Sequence, residues 1–400
     1  MNNVLYIQSG GPTSVINCSA RGVIGQCREH SGEIGKIYAA LHGIDGVIRN
    51  ELYDCSMLNE QQLKDLALTP SMAFGSCRYM VREKTEDDYR SILCTLRAHQ
   101  ISMILLNGGN GSASAALKLM RHLKQMGFAG SVLLIPKTVD NDIAGIDHSP
   151  GFPSAARHVV TAVSELAHDM YTYDTDLIMA VEVMGRNTGY LAAAAMAACQ
   201  TGWGPDLIYV PERTFSPEMF VRDVAGTLEK KGKCLAVLSE GVKTEDGKYL
   251  FEDTTVNKAA DPSRNMGGIT PYLSTLLRKH FTCKIRCIDL GLMQRCDAHN
   301  ASPLDRKEAE KLGRYAVDAA LRGLDGQMVT IRRLSDKPYT SRMECIPLEA
   351  VADVERTMDR RFLMKDRPFI RDGYLDYILP LIGRLPAYAD LKIQRTGERG

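Results

Sequence analysis

The sequence predicts an α/β protein built on parallel sheets, and three observations carry that prediction. Short apolar runs recur along the chain without strict alternation, the pattern of parallel strands covered on both faces. Segments with a helical apolar stripe separate them. Two of the runs break into glycine-rich turns that lead straight into a helix-like stretch, giving strand, turn and helix in succession.

In chain order, "VLYIQ" at 4–8 is the first strand. Gly10 and Gly11 follow it, then a helix whose Ile16, Ala20, Val23 and Cys27 share one face. "KIYAA" at 36–40 is the second strand. Thr85 and Asp88 have the spacing of a capping box for a helix through Tyr89, Ile92 and Leu96. "ISMILL" at 101–106 runs into Asn107-Gly108-Gly109-Asn110-Gly111-Ser112, and Ala113, Leu117 and Met120 line the helix beyond. "SVLLI" at 131–135 precedes an acidic turn, Pro136–Asp142. The later strands are "LIMAVEV" (177–183), "DLIYV" (206–210), "CLAVL" (234–238) and "IRCIDL" (285–290), with Thr270-Pro271 opening a helix before the last. A soft boundary at "SPGFPS" divides 1–150 from 151–345, and a tail rich in Arg, Asp and Pro, 346–400, is expected to pack across both lobes.

Composition excludes several classes of function. The 400 residues are 44% hydrophobic and 24% charged, as in ordinary soluble proteins. A formal net charge of +1 gives no global attraction to nucleic acid or an anionic membrane, so any anion site must be built locally. "MNNVLYIQSGG" lacks a basic, apolar leader, and no apolar stretch nears the roughly 20 residues that span a bilayer. Eleven cysteines without a CxxC pair read as reduced buried thiols, so a cytoplasmic protein is expected.

The chemistry gathers at strand ends, where open α/β sheets bind ligands. Each glycine turn leaves room for a bulky ligand beside the backbone and aims the free N–H groups of the next helix at it. Neither turn has the GxGxxG or P-loop pattern, but two of them together point to a polyphosphate site. The acidic turn sets Lys137, Asp140 and Asp142 at the end of a buried strand. One carboxylate can take a proton from a substrate hydroxyl while the other holds Mg²⁺, as phosphoryl transfer requires. Asp-Asn-Asp is equally a good solvated turn.

In order and spacing, "NGGNGS", "PKTVDND" and "VEVMGRNTGY" resemble the phosphofructokinase family, and the similarity runs from "SGGPTSVIN" through "LGLMQR". The resemblance implies two lobes with Rossmann-like parallel sheets and an active site in the cleft between them. Residues 1–150 would bind the donor phosphates and 151–345 the sugar phosphate. It further implies phosphoryl transfer to the 1-hydroxyl of fructose 6-phosphate, a step of glycolysis. Asp140 would be the base, Thr138 would contact the moving phosphoryl group beside Lys137, and Asp142 with Asn110 would hold Mg²⁺. Met184, Gly185 and Arg186 would contact the sugar, with Arg186 close to the donor, and Glu240 would bind sugar hydroxyls. Arg286 and Arg295 would grip the 6-phosphate, one of them reaching across a subunit boundary in a homodimer or homotetramer. Gly11, Arg78, Gly109, Asn110, Gly111 and Ser112 would surround the donor.

Some positions depart from the family pattern. Asn110 replaces an aspartate associated with magnesium. Leu177 and Leu292 stand where many relatives have an arginine and a histidine for the sugar phosphate, which leaves a longer sugar phosphate open. These changes also motivate a non-catalytic sugar-phosphate binder, against which Asp140, Asp142, Arg186, Glu240, Arg286 and Arg295 are all present. For the donor, pyrophosphate-dependent relatives usually carry Asp where this chain has Gly111, and Lys at position 137, as here. Because Gly111 leaves room for a nucleotide while a lysine at 137 suits both donors, ATP is the expected donor and pyrophosphate the alternative.

Overall fold

A computed structural model describes residues 2–77, 85–250 and 268–389; Arg78 lies outside the described residues. The strands are β1 (Asn2–Gln8), β2 (Ile34–Ala40), β3 (Leu52–Asp54), β4 (Ile101–Gly108), β5 (Ser131–Pro136), β6 (Leu177–Val183), β7 (Leu207–Tyr209), β8 (Lys233–Ser239), β9 (Lys284–Asp289), β10 (Gln327–Asp336) and β11 (Tyr339–Pro347). They form a seven-stranded sheet in the order β11-β10-β5-β4-β1-β2-β3 and a four-stranded sheet in the order β7-β8-β6-β9. Pairing is parallel throughout, except that β3 runs antiparallel to β2 and β11 to β10.

All eight apolar runs become strands. The three strands not marked by such runs, β3, β10 and β11, each take part in an antiparallel pair. β3 has only three residues, and β10 beyond Ile331 alternates between exposed and partly buried positions. A strand with a wet face carries mixed chemistry, so it offers no continuous apolar signal.

The helices are α1 (Ile16–Glu29), α2 (Ile44–Arg49), α3 (Glu60–Leu68), α4 (Glu86–Ala98), α5 (Asn110–Gln125), α6 (Phe152–Met170), α7 (Tyr190–Ala194), α8 (Pro217–Lys231), α9 (Ile269–His280), α10 (Met293–Cys296), α11 (Pro303–Leu321) and α12 (Gly373–Ile382). Ile16, Ala20, Val23 and Cys27 are buried on α1, as their spacing requires. Thr85 and Asp88 form the capping box of α4. The start of α9 differs from expectation. It begins at Ile269, and the buried carboxylate of Glu182, from β6, accepts the Gly268 and Thr270 N–H groups at 2.8 and 3.0 Å. A side chain distant in sequence thus supplies the cap.

One core lies around the first sheet; a second joins α6, β6 and β8 to Tyr374, Ile378, Leu381 and Ile382 of α12. All eleven cysteines are free, but only Cys18, Cys27, Cys55 and Cys234 are buried, and Cys94 and Cys199 are exposed. Among the described residues no helix is long and apolar enough to cross a membrane.

Candidate active site

Because β5, β4 and β1 are parallel neighbours, their carboxyl ends lie side by side, with Gln8 opposite Asn107 and Gly108 opposite Pro136. Both glycine turns and the acidic turn therefore open on one edge of the first sheet. The Ser112 hydroxyl donates to Ser9 Oγ at 3.0 Å and joins the two glycine turns. Gly10 sits at φ +79°, and a Cβ there would lie 3.1 Å from Lys137 Nζ. Bare backbone at this point makes room for the ammonium. The same nitrogen lies 3.7 Å from the corresponding Cβ position of Gly109. Lys137 is buried between the two turns.

Around that lysine the acidic turn folds on itself. Thr138 Oγ1 accepts from the Asp140 N–H at 3.2 Å and donates to the Asp142 carboxylate. Burial pushes the Asp140 carboxyl well above the ordinary carboxylate range, and the charges of Asp142 and Glu240 add to it. Asp142 is raised chiefly by burial as well. Burial also lowers Lys137, against the opposing pull of Asp142 and Asp140, to about 8. The turn thus holds groups poised to exchange protons near neutral pH.

The second sheet faces this edge with its own strand ends. β6 and β8 finish together, Val183 opposite Ser239, and release Met184-Gly185-Arg186 and Glu240 side by side. Gly185, at φ +126°, accepts from the Ser239 hydroxyl and the Gly241 N–H through its carbonyl, and its own N–H donates to Glu240 Oε1 at 3.3 Å. Burial raises Glu240, assisted by Glu182 and Asp289 and against the Gly185 bond, to about 7. The Met184 N–H donates to Gln294 Oε1 at 2.9 Å, which ties α10 to the same strand end. The Arg186 guanidinium lies over the Tyr249 ring, 5.3 Å from its centroid.

Arg295, on α10, crosses to the first sheet. A Cβ on Gly11 would lie 3.6 Å from its Nη1, and its charge acts on Asp140 and Lys137. Lys137, Thr138, Asp140, Asp142, Glu240, Arg295 and the glycine turns therefore converge. Arg286 does not join them. It pairs with Asp169 at 3.4 Å, near the far end of α6. At 1.5 Å per residue, Asp169 is about 27 Å along that helix from Gly151, which follows the acidic turn. Leu177 is buried core, whereas Leu292 is 60% exposed.

Two buried side-chain oxygens of the site, Asn110 Oδ1 and Asp142 Oδ1, accept no hydrogen bond. Orphaned acceptors of this kind suit a hard cation, so these residues fit one. No cluster of three or more His, Cys, Asp or Glu side chains able to cage a metal occurs among the described residues.

The phosphofructokinase family model matches residues 3–320. The chain belongs to the phosphofructokinase family. It is accordingly a phosphotransferase with an alcohol acceptor. Family members similar to it include the pyrophosphate–fructose 6-phosphate 1-phosphotransferase of Halomonas elongata, 37% identical over 95% of this chain and 92% of the relative. The enzyme of the same name from Xanthomonas campestris pv. campestris is 37% identical over 98% of this chain and 96% of its own. The crystal structure of the pyrophosphate-dependent phosphofructokinase from Marinobacter aquaeolei superposes with a TM-score of 0.85 at 33% identity, covering 100% of this chain and 98% of that one.

These relatives overturn ATP as the expected donor. The physical reason lies at Gly111, which is exposed in the first turn of α5 with nothing within 4 Å of a Cβ placed on it. Open space removes an obstacle to a nucleotide but supplies no group that binds one. Lys137 Nζ, by contrast, fills the gap between the two glycine turns.

Several residues of the site are not singled out by the sequence. Ser9, Gln294, Tyr377 and Arg356 act through contacts between segments far apart in the chain. Asn141 was visible inside the acidic turn, and its left-handed φ of +61° is the one clue its residue type could have given.

Proposed function

We propose that the chain transfers a phosphoryl group from pyrophosphate to the 1-hydroxyl of fructose 6-phosphate, giving fructose 1,6-bisphosphate and orthophosphate. The observation that carries this reading is the Lys137 ammonium lodged between the two glycine turns beside Asp140, in a chain whose full-length relatives bear that name. Asp140 accepts the proton of the 1-hydroxyl, and the freed oxygen attacks the near phosphorus as the bridging P–O bond breaks. Its raised pKa matches a base that must gain and return a proton near neutral pH. Lys137 and the helix N–H groups at the turns balance charge on the departing phosphate. Glu240 orients sugar hydroxyls, and Arg295 supplies a guanidinium to the phosphate groups.

Asp142 and Asn110 would hold Mg²⁺, which when bound would neutralise negative charge on the donor phosphates. Arg286 reaches a sugar phosphate in a neighbouring copy of the chain rather than its own, because its own catalytic turn lies at the opposite end of α6. The deciding experiment assays fructose 6-phosphate and Mg²⁺ with pyrophosphate or ATP and compares kcat/KM. Product with pyrophosphate in clear preference is the expected result; none with pyrophosphate overturns the reading.

A further inference from the structure

Resting on that reading, we propose that Tyr377, acting through Asn141, is a positioning residue for the catalytic base, so that the C-terminal helix α12 fixes the geometry of phosphoryl transfer. Asn141 separates Asp140 from Asp142, and its side chain is fully buried. Residues 139–142 lie outside any strand; the Asp142 carbonyl accepts the Arg356 N–H at 2.9 Å, whereas Asn141 is held through its side chain. Both ends of the Asn141 amide are used. Its Oδ1 accepts the Ser149 N–H at 2.9 Å, and its Nδ2 donates to the Tyr377 hydroxyl at 2.9 Å. That hydroxyl donates in turn to the Asp147 carbonyl at 2.9 Å, closing a circuit from α12 through the turn and back to the loop.

The phenol is itself immobilised. The Arg333 guanidinium lies 4.7 Å from its ring centroid and donates to the Tyr377 carbonyl at 3.1 Å. Asn141 sits at φ +61°, a left-handed conformation that asparagine tolerates only with local support. Loss of that support moves both flanking carboxylates, because the backbone joins them directly to Asn141. A misplacement of about 1 Å at a reacting group costs on the order of 100-fold in rate.

The test uses full-length Tyr377→Phe, Asn141→Gly and the double variant. Phenylalanine keeps the ring packing and removes only the hydroxyl, while glycine keeps the left-handed backbone and removes only the amide. With pyrophosphate and fructose 6-phosphate, Tyr377→Phe lowers kcat on the order of tenfold, because it removes both bonds of the hydroxyl and leaves the buried Asn141 Nδ2 donor unpaired. The KM for the sugar phosphate stays within about twofold, since its binding groups come from the other sheet. The double variant falls no further than Asn141→Gly, because both changes break one contact. Unchanged thermal unfolding of Tyr377→Phe separates this effect from misfolding. Wild-type kcat in folded Tyr377→Phe, or losses that multiply in the double variant, overturn the positioning role alone. Absence of any pyrophosphate-dependent product from the wild-type chain overturns the functional reading and this inference with it.

Discussion

Between Lys137 and Gly151 the chain is bonded to β4, β10, α11 and α12, whereas β9, which carries Arg286, offers partly or fully exposed residues along its length. The Lys137 N–H donates to the Gly108 carbonyl, Thr330 Oγ1 to the Gly145 carbonyl and the Asp147 N–H to the Ile331 carbonyl, at 2.8–3.0 Å. Asp305 caps the start of α6 from α11 through Gly151 and Ser154. At its buried centre, the His148 ring bonds to Asp147 and Glu308, both at 2.7 Å. Among the described residues Arg286 has one ion pair, at 3.4 Å, with both side chains well exposed. Such a pair contributes only about 0–1 kcal/mol, so it yields readily to a phosphate. The turn that carries Asp140 is overdetermined by its own chain, and the strand that carries Arg286 is not.

The largest expected effect breaks the overdetermined side. Asp140→Asn should lower kcat by about 10²- to 10⁴-fold with little change in the sugar KM, by steady-state assay. It should also stabilise the protein. Burial raises the native pKa of Asp140 above its ordinary 3.8, so the native state holds the proton that the unfolded state releases. Its contribution is present below that pH and is lost as pH rises. The variant's Tm should therefore exceed the wild type's at neutral pH and converge with it near pH 4. A catalytic group held at a cost to stability is the expected signature.

Next in size is the ion cluster behind the base. Burial lowers His148, but its bonds to Asp147 and Glu308 and their charges outweigh that and push it up to about 9. Because this native pKa lies above the ordinary 6.5, the stabilisation is complete below 6.5 and is lost as pH rises through about 9. His148→Ala leaves Glu308 without its cation, while Asp147 keeps Arg333 at 3.0 Å, and should cost about 3–5 kcal/mol in denaturant unfolding at pH 6, and less above pH 9. An equal cost at both pH values would mean that packing, not charge, joins the loop to α11.

On the open side, Arg286→Ala should raise the sugar-phosphate KM by about 10- to 100-fold, the worth of a charge-assisted pair. Unfolding should barely change. Mixed with Asp140→Asn, it should recover activity in hybrid assemblies, each chain supplying what the other lacks. Recovery at the level of either variant alone would place Arg286 outside any shared site.

The same contrast explains what the sequence made legible. The eight parallel strands, the glycine turns and Asp140 were readable because each is written in contiguous residues: an apolar run, then a turn. Glu182 capping α9, Tyr377 holding Asn141 and Asp305 capping α6 were not, because each is a polar group meeting backbone far along the chain. Arg286 and Arg295 looked alike in "IRCIDLGLMQR", yet α10 carries Arg295 to Gly11 while Arg286 stays on β9 beside Asp169.

The smallest effect concerns the glycines of the cradle. Gly10 and Gly111 look equivalent in sequence but differ in the structure. A Cβ on Gly10 meets the Lys137 ammonium at 3.1 Å and must adopt φ +79°, whereas one on Gly111 meets nothing within 4 Å. Gly111→Ala should therefore stabilise the first turn of α5 by up to about 0.4–1 kcal/mol, mainly by restricting the unfolded chain. Pyrophosphate kcat/KM should stay within about threefold, a difference of under 1 kcal/mol, because the lysine-filled gap lies on the other side of the turn. Gly10→Ala should instead cost about 1–2 kcal/mol through its left-handed backbone and lose activity as the ammonium shifts. A tenfold or greater fall in kcat/KM for Gly111→Ala, a loss of about 1.4 kcal/mol, would put the donor against that α-carbon. It would then be position 111, not Lys137, that senses the donor's shape.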